Sequence, residues 1–186
     1  GAGGRGSEEP PIFGVELLES EVARGSGVVT AGAAASNVVL VGTSTGLLVR
    51  HDFAEGSASD MPMCKSGDAA VHKIFLDPTA SHAVVVLRDG FGRATEVMYV
   101  HARAKKPRPL PKLKGVAVSA VGWNRAPALS DAATGATALG TEGGALHELV
   151  LEERDKRERV CRPLMQLAGP PQEAIAGLHL EPLDGP

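Results

Sequence analysis

The chain has 186 residues, 43% of them hydrophobic and 22% charged, which excludes an intrinsically disordered polypeptide and suffices for one domain with its own core. Its formal net charge of −3 excludes a global attraction to nucleic acid or anionic membranes, so any such affinity has to be local. Aromatic residues are only 3%, leaving Val, Leu and Ala to build the core, and 23 Gly with 13 Pro call for many turns between short elements.

In chain order, GAGGRGSEEPP lacks the apolar centre of a signal peptide and reads as a flexible tail over residues 1–10. PIFGVELL (11–18) is predicted as a strand that precedes the first repeat and belongs to a final blade. GVVTAGAA (27–34) opens the first unit, followed by NVVLV (37–41), an apolar run suited to a strand buried on both faces. VGTSTGLLVRHD (41–52) predicts two strands joined at Gly46, and MPMCK (61–65) a Pro-bearing last strand.

The second unit opens with VHKIFLDP (71–78), whose alternation stops at Asp77-Pro78 because proline disfavours the helical region at the residue before it. AVVVL (83–87) and ATEVMYV (94–100) form its hairpin around RDGFGR, and PRPLPKL (107–113) is the Pro-bearing strand. VSAVGWNR (118–125) opens the third unit, LGTEGGALHELV (139–150) repeats the first hairpin at an offset of 98, and RVCRPLMQL (159–167) closes it. IAGLHLEP (175–182) then restates VHKIFLDP.

With Val28, Val71, Val118 and Ile175 as markers, the units are spaced by 43, 47 and 57 residues. Four short strands recurring at about 40–50 residues predict a β-propeller, because a single four-stranded sheet cannot cover both of its apolar faces and neighbouring blades can. An unrelated β-sandwich is the competing architecture. The expected fold is all-β: a partial β-propeller of about three four-stranded blades (27–66, 70–113, 116–168) plus the first strand of a fourth beginning at 174, with 184–186 as a truncated end. Three blades do not close a ring, so the expectation is a cut from a longer protein with exposed sheet edges.

Cys64 and Cys161 lie 97 positions apart with no C-x-x-C spacing, as expected of thiols in a reducing compartment. No apolar run reaches the ~18 residues of a membrane span; the expected location is cytoplasmic, with any membrane contact peripheral.

VHKIFLDPTASH (71–82), TEVMYV (95–100), KPRPLPKLKG (106–115), KGVAVSAVGWN (114–124) and ALGTEGGALHELVLE (138–152) appear in the order found in the deep orange family. The resemblance runs from about Pro11 to Leu183. Members of that family resemble a seven-bladed amino-terminal propeller followed by an α-solenoid and a RING. The resemblance implies a core subunit of the HOPS and CORVET tethers, working at late endosome and vacuole or lysosome membranes in SNARE-mediated fusion. It implies other class C vacuolar sorting subunits as partners, with SNAREs and Rab GTPases reached indirectly. No enzyme activity, cofactor or nucleic acid is expected for this segment.

One segment stands out as a candidate contact. HARAKKPRPLPKLKG (101–115) carries Arg103, Lys105, Lys106, Arg108, Lys112 and Lys114 with no acid among them. It is suited either to an acidic partner or anionic headgroups, or to deterring edge-to-edge pairing as a solvated loop and edge strand. It lacks the interleaved aromatics that stack on bases. EERDKRER (152–159) reads as an exposed excursion, with Glu152–Lys156, Glu153–Arg157 and Asp155–Arg159 spaced to pair if helical. His51, His72, His82, His101, His147 and His179 have no metal-binding spacing, and His72 with Asp77 lacks a nucleophile that would make acid–base chemistry useful. The Gly-rich hairpins lack the lysine and helix of a phosphate loop. Trp123 stands where the sister units have Leu76 and Leu180 and is expected to pack between blades. The remaining alternatives are an interaction propeller of a coat or nuclear-pore scaffold, and a propeller enzyme with residues converging on a central channel.

Overall fold

A computed structural model describes residues 27–65, 67–124, 131–154, 158, 160–167 and 173–181. They form three antiparallel sheets, each built from four strands consecutive in sequence. Blade 1 comprises β1 (Val29–Ala35), β2 (Val38–Thr43), β3 (Leu47–Asp52) and β4 (Ser57–Pro62). Blade 2 comprises β5 (Ala69–Leu76), β6 (His82–Asp89), β7 (Ala94–His101) and β8 (Arg108–Pro109), followed by a single 3₁₀ turn, Pro111–Leu113. Blade 3 comprises β9 (Val118–Gly122), β10 (Thr137–Thr141), β11 (Ala145–Val150) and β12 (Val160–Gln166). This is the all-β partial propeller that the repeat predicts. The 11–18 strand expectation lies outside the described residues.

Local chemistry explains the hairpins. Gly46 and Gly144 take φ of 74° and 75°, a region open to glycine at no steric cost. In each turn a threonine does the same two jobs. Thr43 O accepts from Gly46 N–H and its Oγ1 from Leu47 N–H, while Thr141 O accepts from Gly144 N–H and its Oγ1 from Ala145 N–H. Blade 2 uses an acid instead: Asp89 Oδ1 accepts from the N–H groups of Phe91 and Arg93, both at 3.0 Å. At the other end of blade 2, Asp77 Oδ1 accepts from His82 N–H at 2.8 Å and Oδ2 from the Thr79 hydroxyl at 2.6 Å. The Asp-Pro corner is thus a hydrogen-bonded turn.

Each inner strand carries a β-bulge near its start, with Thr30, His72 and Ser119 as the unpaired residues. The first and third are used identically. Thr30 Oγ1 donates to Val71 O at 2.6 Å, and Ser119 Oγ donates to Ile175 O at 2.7 Å. Gly42 and Gly140 leave room for the same two aliphatic side chains: a Cβ would sit 2.2 Å from Val71 Cγ1 in one case and 2.5 Å from Ile175 Cγ2 in the other. Residues 173–181 therefore lie across blade 3 as β5 lies across blade 1. They form no strand, because no other described segment forms a ladder with them.

Two apolar cores result. Leu40, Leu48, Val71, Val85 and Leu87 fill the space between blades 1 and 2. Val84, Val86, Leu113, Leu139 and Leu149 fill the space between blades 2 and 3. β6 feeds both, since its side chains alternate between the two faces, and all six residues of His82–Leu87 are buried. Trp123 is half-buried against the second core, as expected of an inter-blade residue.

The outer strands correct the sequence reading in two places. The last strand of blade 1 is residues 57–62, earlier than 61–65; it is exposed along nearly its whole length, so no apolar pattern announces it. The expected 107–113 strand is only two residues long, because Pro107, Pro109 and Pro111 have no N–H to give a ladder.

Candidate functional site

The 101–115 segment leaves the end of β7, crosses the outer edge of blade 2 and meets Glu152, Glu153 and Glu158 of blade 3. Arg108 lies opposite Tyr99 in the β7–β8 register. Its guanidinium carbon stacks 4.5 Å from the Tyr99 ring centre, and Nη1 donates to Glu152 O at 2.9 Å. Burial pushes the Tyr99 hydroxyl well above its usual pKa, and that hydroxyl lies 2.7 Å from His82 Nδ1. His101 packs edge-on to His82 with ring centres 5.2 Å apart. It places Nε2 2.7 Å from Asp131 O and accepts Arg103 N–H at Nδ1, which puts the imidazole proton on Nε2.

Farther along, Lys112 N–H donates to Glu158 Oε1 at 3.3 Å. Arg103, 62% exposed, reaches Glu153 at 3.5 Å. Lys105, Lys106 and Lys114 are exposed and have no ion-pair partner among the described residues.

The six candidate cations are therefore not one uniform rim. The segment contains no acid in sequence, but the fold sets Glu152, Glu153 and Glu158 against it. Arg108 serves as an inter-blade joint, and the outward charge comes from the exposed Lys105, Lys106, Lys112 and Lys114, with Arg103 shared. Nor is 152–159 wholly an exposed excursion: Glu158 is buried to 6% exposure, and Glu152 forms a β-bridge with Ala133. The helical ion pairs proposed for that stretch involve residues 155–157 and 159, outside the described residues. Contacts separated by 44–50 positions leave no local pattern, so the sequence held no signal for these acids.

The other histidines sit in structural surroundings. His51 is buried and stacks on Phe53 at 6.2 Å, and His179 lies 3.1 Å from Glu181. His72 is half-buried, and burial followed by Arg88 and Lys73 lowers its pKa against the opposing pull of Glu142. Cys64 and Cys161 are both free and half-buried; burial and Glu158 raise the Cys161 thiol pKa. Among the described residues, no group of three His, Cys, Asp or Glu side chains could hold a metal ion, and no helix is long and apolar enough to cross a membrane.

The model of the Pep3/Vps18/deep orange beta-propeller domain matches residues 11–184. The chain is 39% identical over 172 residues to vacuolar sorting protein 18 of Arabidopsis thaliana, covering 91% of this chain and 17% of that protein. It is 26% identical over 142 residues to the vacuolar protein sorting-associated protein 18 homolog of Danio rerio, covering 76% and 14%. The chain thus spans about a sixth of the length of these relatives. Among solved structures, the computationally designed Ika4 protein superposes with a TM-score of 0.52 at 19% identity, covering 91% of this chain and 89% of that one. U3-55K superposes at 0.51 and 18% identity, covering 81% and 44%. Likeness at that identity speaks to the fold alone.

Proposed function

The chain belongs to the Pep3/Vps18/deep orange β-propeller family, and from that premise we propose that it is a non-catalytic interaction module of a class C vacuolar sorting subunit. It acts within the HOPS and CORVET tethers at late endosome and vacuole or lysosome membranes. Its direct partners are the other class C subunits; SNAREs and Rab GTPases are engaged through them. The observation that carries this reading is the family match over 11–184, together with 39% identity to a plant vacuolar sorting protein over nearly the whole chain.

The mechanism is presentation. Stacked blades position their connecting segments, and the exposed part of the 101–115 segment offers Arg103, Lys105, Lys106, Lys112 and Lys114 to an acidic partner or anionic surface. Arg108 and the Lys112 backbone hold that segment against blade 3.

Affinity purification of the full-length protein tests the assembly: class C sorting subunits are the expected co-purifying proteins. Recovery of coat or nuclear-pore subunits in their place would overturn the reading.

A further inference from the structure

A cleft opens between β3 and β4 of blade 1 and the β5–β6 and β7–β8 connections of blade 2. Its floor is apolar, with Leu40, Leu48 and Met61 on one side and Leu76 and Val100 on the other. The interior volume is about 30 Å³. Since about 10–15 Å³ on this measure holds one water, the cleft has room for the end of a single branched side chain.

Cations adjoin the mouth, and the one that lines it is already paired with an acid. Arg50 spans the mouth, with Nη1 donating to Ala80 O at 3.1 Å and Nη2 3.6 Å from Asp52. Ala104 lines the opposite lip, and the chain runs from it directly into the exposed Lys105 and Lys106. β4 borders the cleft through Ser59 and Met61. It pairs with β3 alone among the described strands, which leaves its outer backbone edge open to strand addition. On the wall, His82 is 4% exposed and uses Nδ1 on Tyr99, while Nε2 has no partner among the described residues.

We propose that the cleft between blades 1 and 2 docks a short extended peptide with one aliphatic anchor flanked by acidic residues. The anchor enters the Leu40–Met61–Val100 floor, the acids face Lys105 and Lys106, and the peptide backbone lies beside β4. A flat bilayer surface cannot place an aliphatic group into a recess between two sheets, whereas a peptide side chain can. This proposal rests on reading the propeller as an interaction module, and it names the partner chemistry for the exposed cations.

The test uses full-length protein and fluorescence anisotropy with a labelled short peptide having one central Leu among Asp and Glu residues. Replacing that Leu by Ser is expected to weaken binding about tenfold or more. K105E/K106E is expected to do likewise, with the parent's binding falling as salt is raised. A104W, which fills the cleft without changing charge, is expected to match the Ser peptide. If A104W fails to fold, as judged by its thermal midpoint, S59W on the exposed edge strand takes its place.

Equal binding of the Leu and Ser peptides, or indifference to the cleft-filling variant, would show charge attraction only and overturn the proposal. So would undetectable peptide binding. Flotation on phosphatidylserine vesicles that is lost in K105E/K106E, without peptide binding, would assign the segment to a membrane instead. Failure to recover class C subunits counts against the assembly reading and leaves these peptide measurements unaffected.

Discussion

The junction between blades 1 and 2 and that between blades 2 and 3 join the same kind of sheet by different chemistry. At the first, the Thr30 hydroxyl bonds Val71 O and Gly42 lets the Val71 side chain come close. At the second, the bulge residue is His72, and Val86 stands in the register place of Gly42. Neither the hydroxyl nor the gap is present there. Side-chain bonds to backbone carbonyls cross both joints, from Arg50 to Ala80 O and Ser36 to Pro78 O at the first and from Arg108 to Glu152 O and His101 to Asp131 O at the second. At the second, carboxylates take part as well: Arg88 pairs with Glu142 at 2.5 Å and Lys112 N–H donates to Glu158. The contact of residues 173–181 with blade 3 returns to the first pattern through Ser119, Gly140 and Ile175. Propeller blades can be interchangeable in outline while their joints are not, and in this chain the charged joint bears the candidate basic segment.

Both joints still need an apolar floor, and removing part of it should have the largest effect. Leu40 and Leu139 are 2% and 0% exposed, one in each core. Leu40→Ala and Leu139→Ala should each cost about 2–5 kcal/mol, measured by urea denaturation. A loss confined to Leu40→Ala would mean that the charged joint does not depend on burial, and the comparison would have to be redrawn.

Close approach comes next. Gly42→Ala places a methyl 2.2 Å from Val71 Cγ1, and Val71 is held in the β5–β6 ladder. Overpacking of this kind costs about 1–3 kcal/mol. Gly140→Ala presses on Ile175 instead; that residue is held by two hydrogen bonds, its N–H to Thr141 O and Ser119 Oγ to its O, rather than by a full strand ladder, so its effect should be smaller. Thermal midpoints of the two variants check the ranking, and equal losses would remove the distinction.

These effects also show what the sequence makes legible. The inner strands could be read because burial forces an apolar repeat onto them: VHKIFL and VSAVG both meet a neighbouring blade, and in IAGLHLE the same pattern survives in a segment that forms no strand but sets Ile175 against Gly140. The hairpins could be read because Gly46 and Gly144 need positive φ. β4 could not, since SASDMP faces solvent and has no pattern to satisfy. The same holds for the charged joint. Arg108 looks like an exposed cation until the fold lays it over Tyr99 and beneath Glu152, 44 positions away. Glu158, buried to 6% exposure, was hidden inside a run of charges.

The Arg88–Glu142 pair sharpens the contrast at a smaller scale. The side chains are 23% and 39% exposed, so the pair is partly solvated and should be worth about 0.2–1 kcal/mol in a double-mutant cycle. The coupling should shrink as salt is raised. The first joint has no counterpart among the described ion pairs, so Gly42→Ala should keep its full cost in high salt. A salt-independent cycle at Arg88–Glu142 would show that packing, not charge, carries the contact.

The smallest expected effect is a slope with pH. His82 has a pKa below its ordinary 6.5, chiefly because burial penalises the charged ring; His101 pushes the same way, while Asp77, Asp131 and Glu153 oppose it. The unfolded chain therefore takes up a proton near pH 6.5 that the folded chain still refuses. Folding stability is complete above that pH and declines as pH falls toward the lowered folded value. His82→Gln removes the titration while keeping a polar side chain, so its thermal midpoint should fall less than the parent's between pH 8 and pH 5. His72, whose pKa is lowered too, supplies a separate part of the slope that His72→Ser, the residue type of its sister position Ser119, should remove. A slope unaltered by either histidine substitution would place the pH sensitivity elsewhere in the molecule.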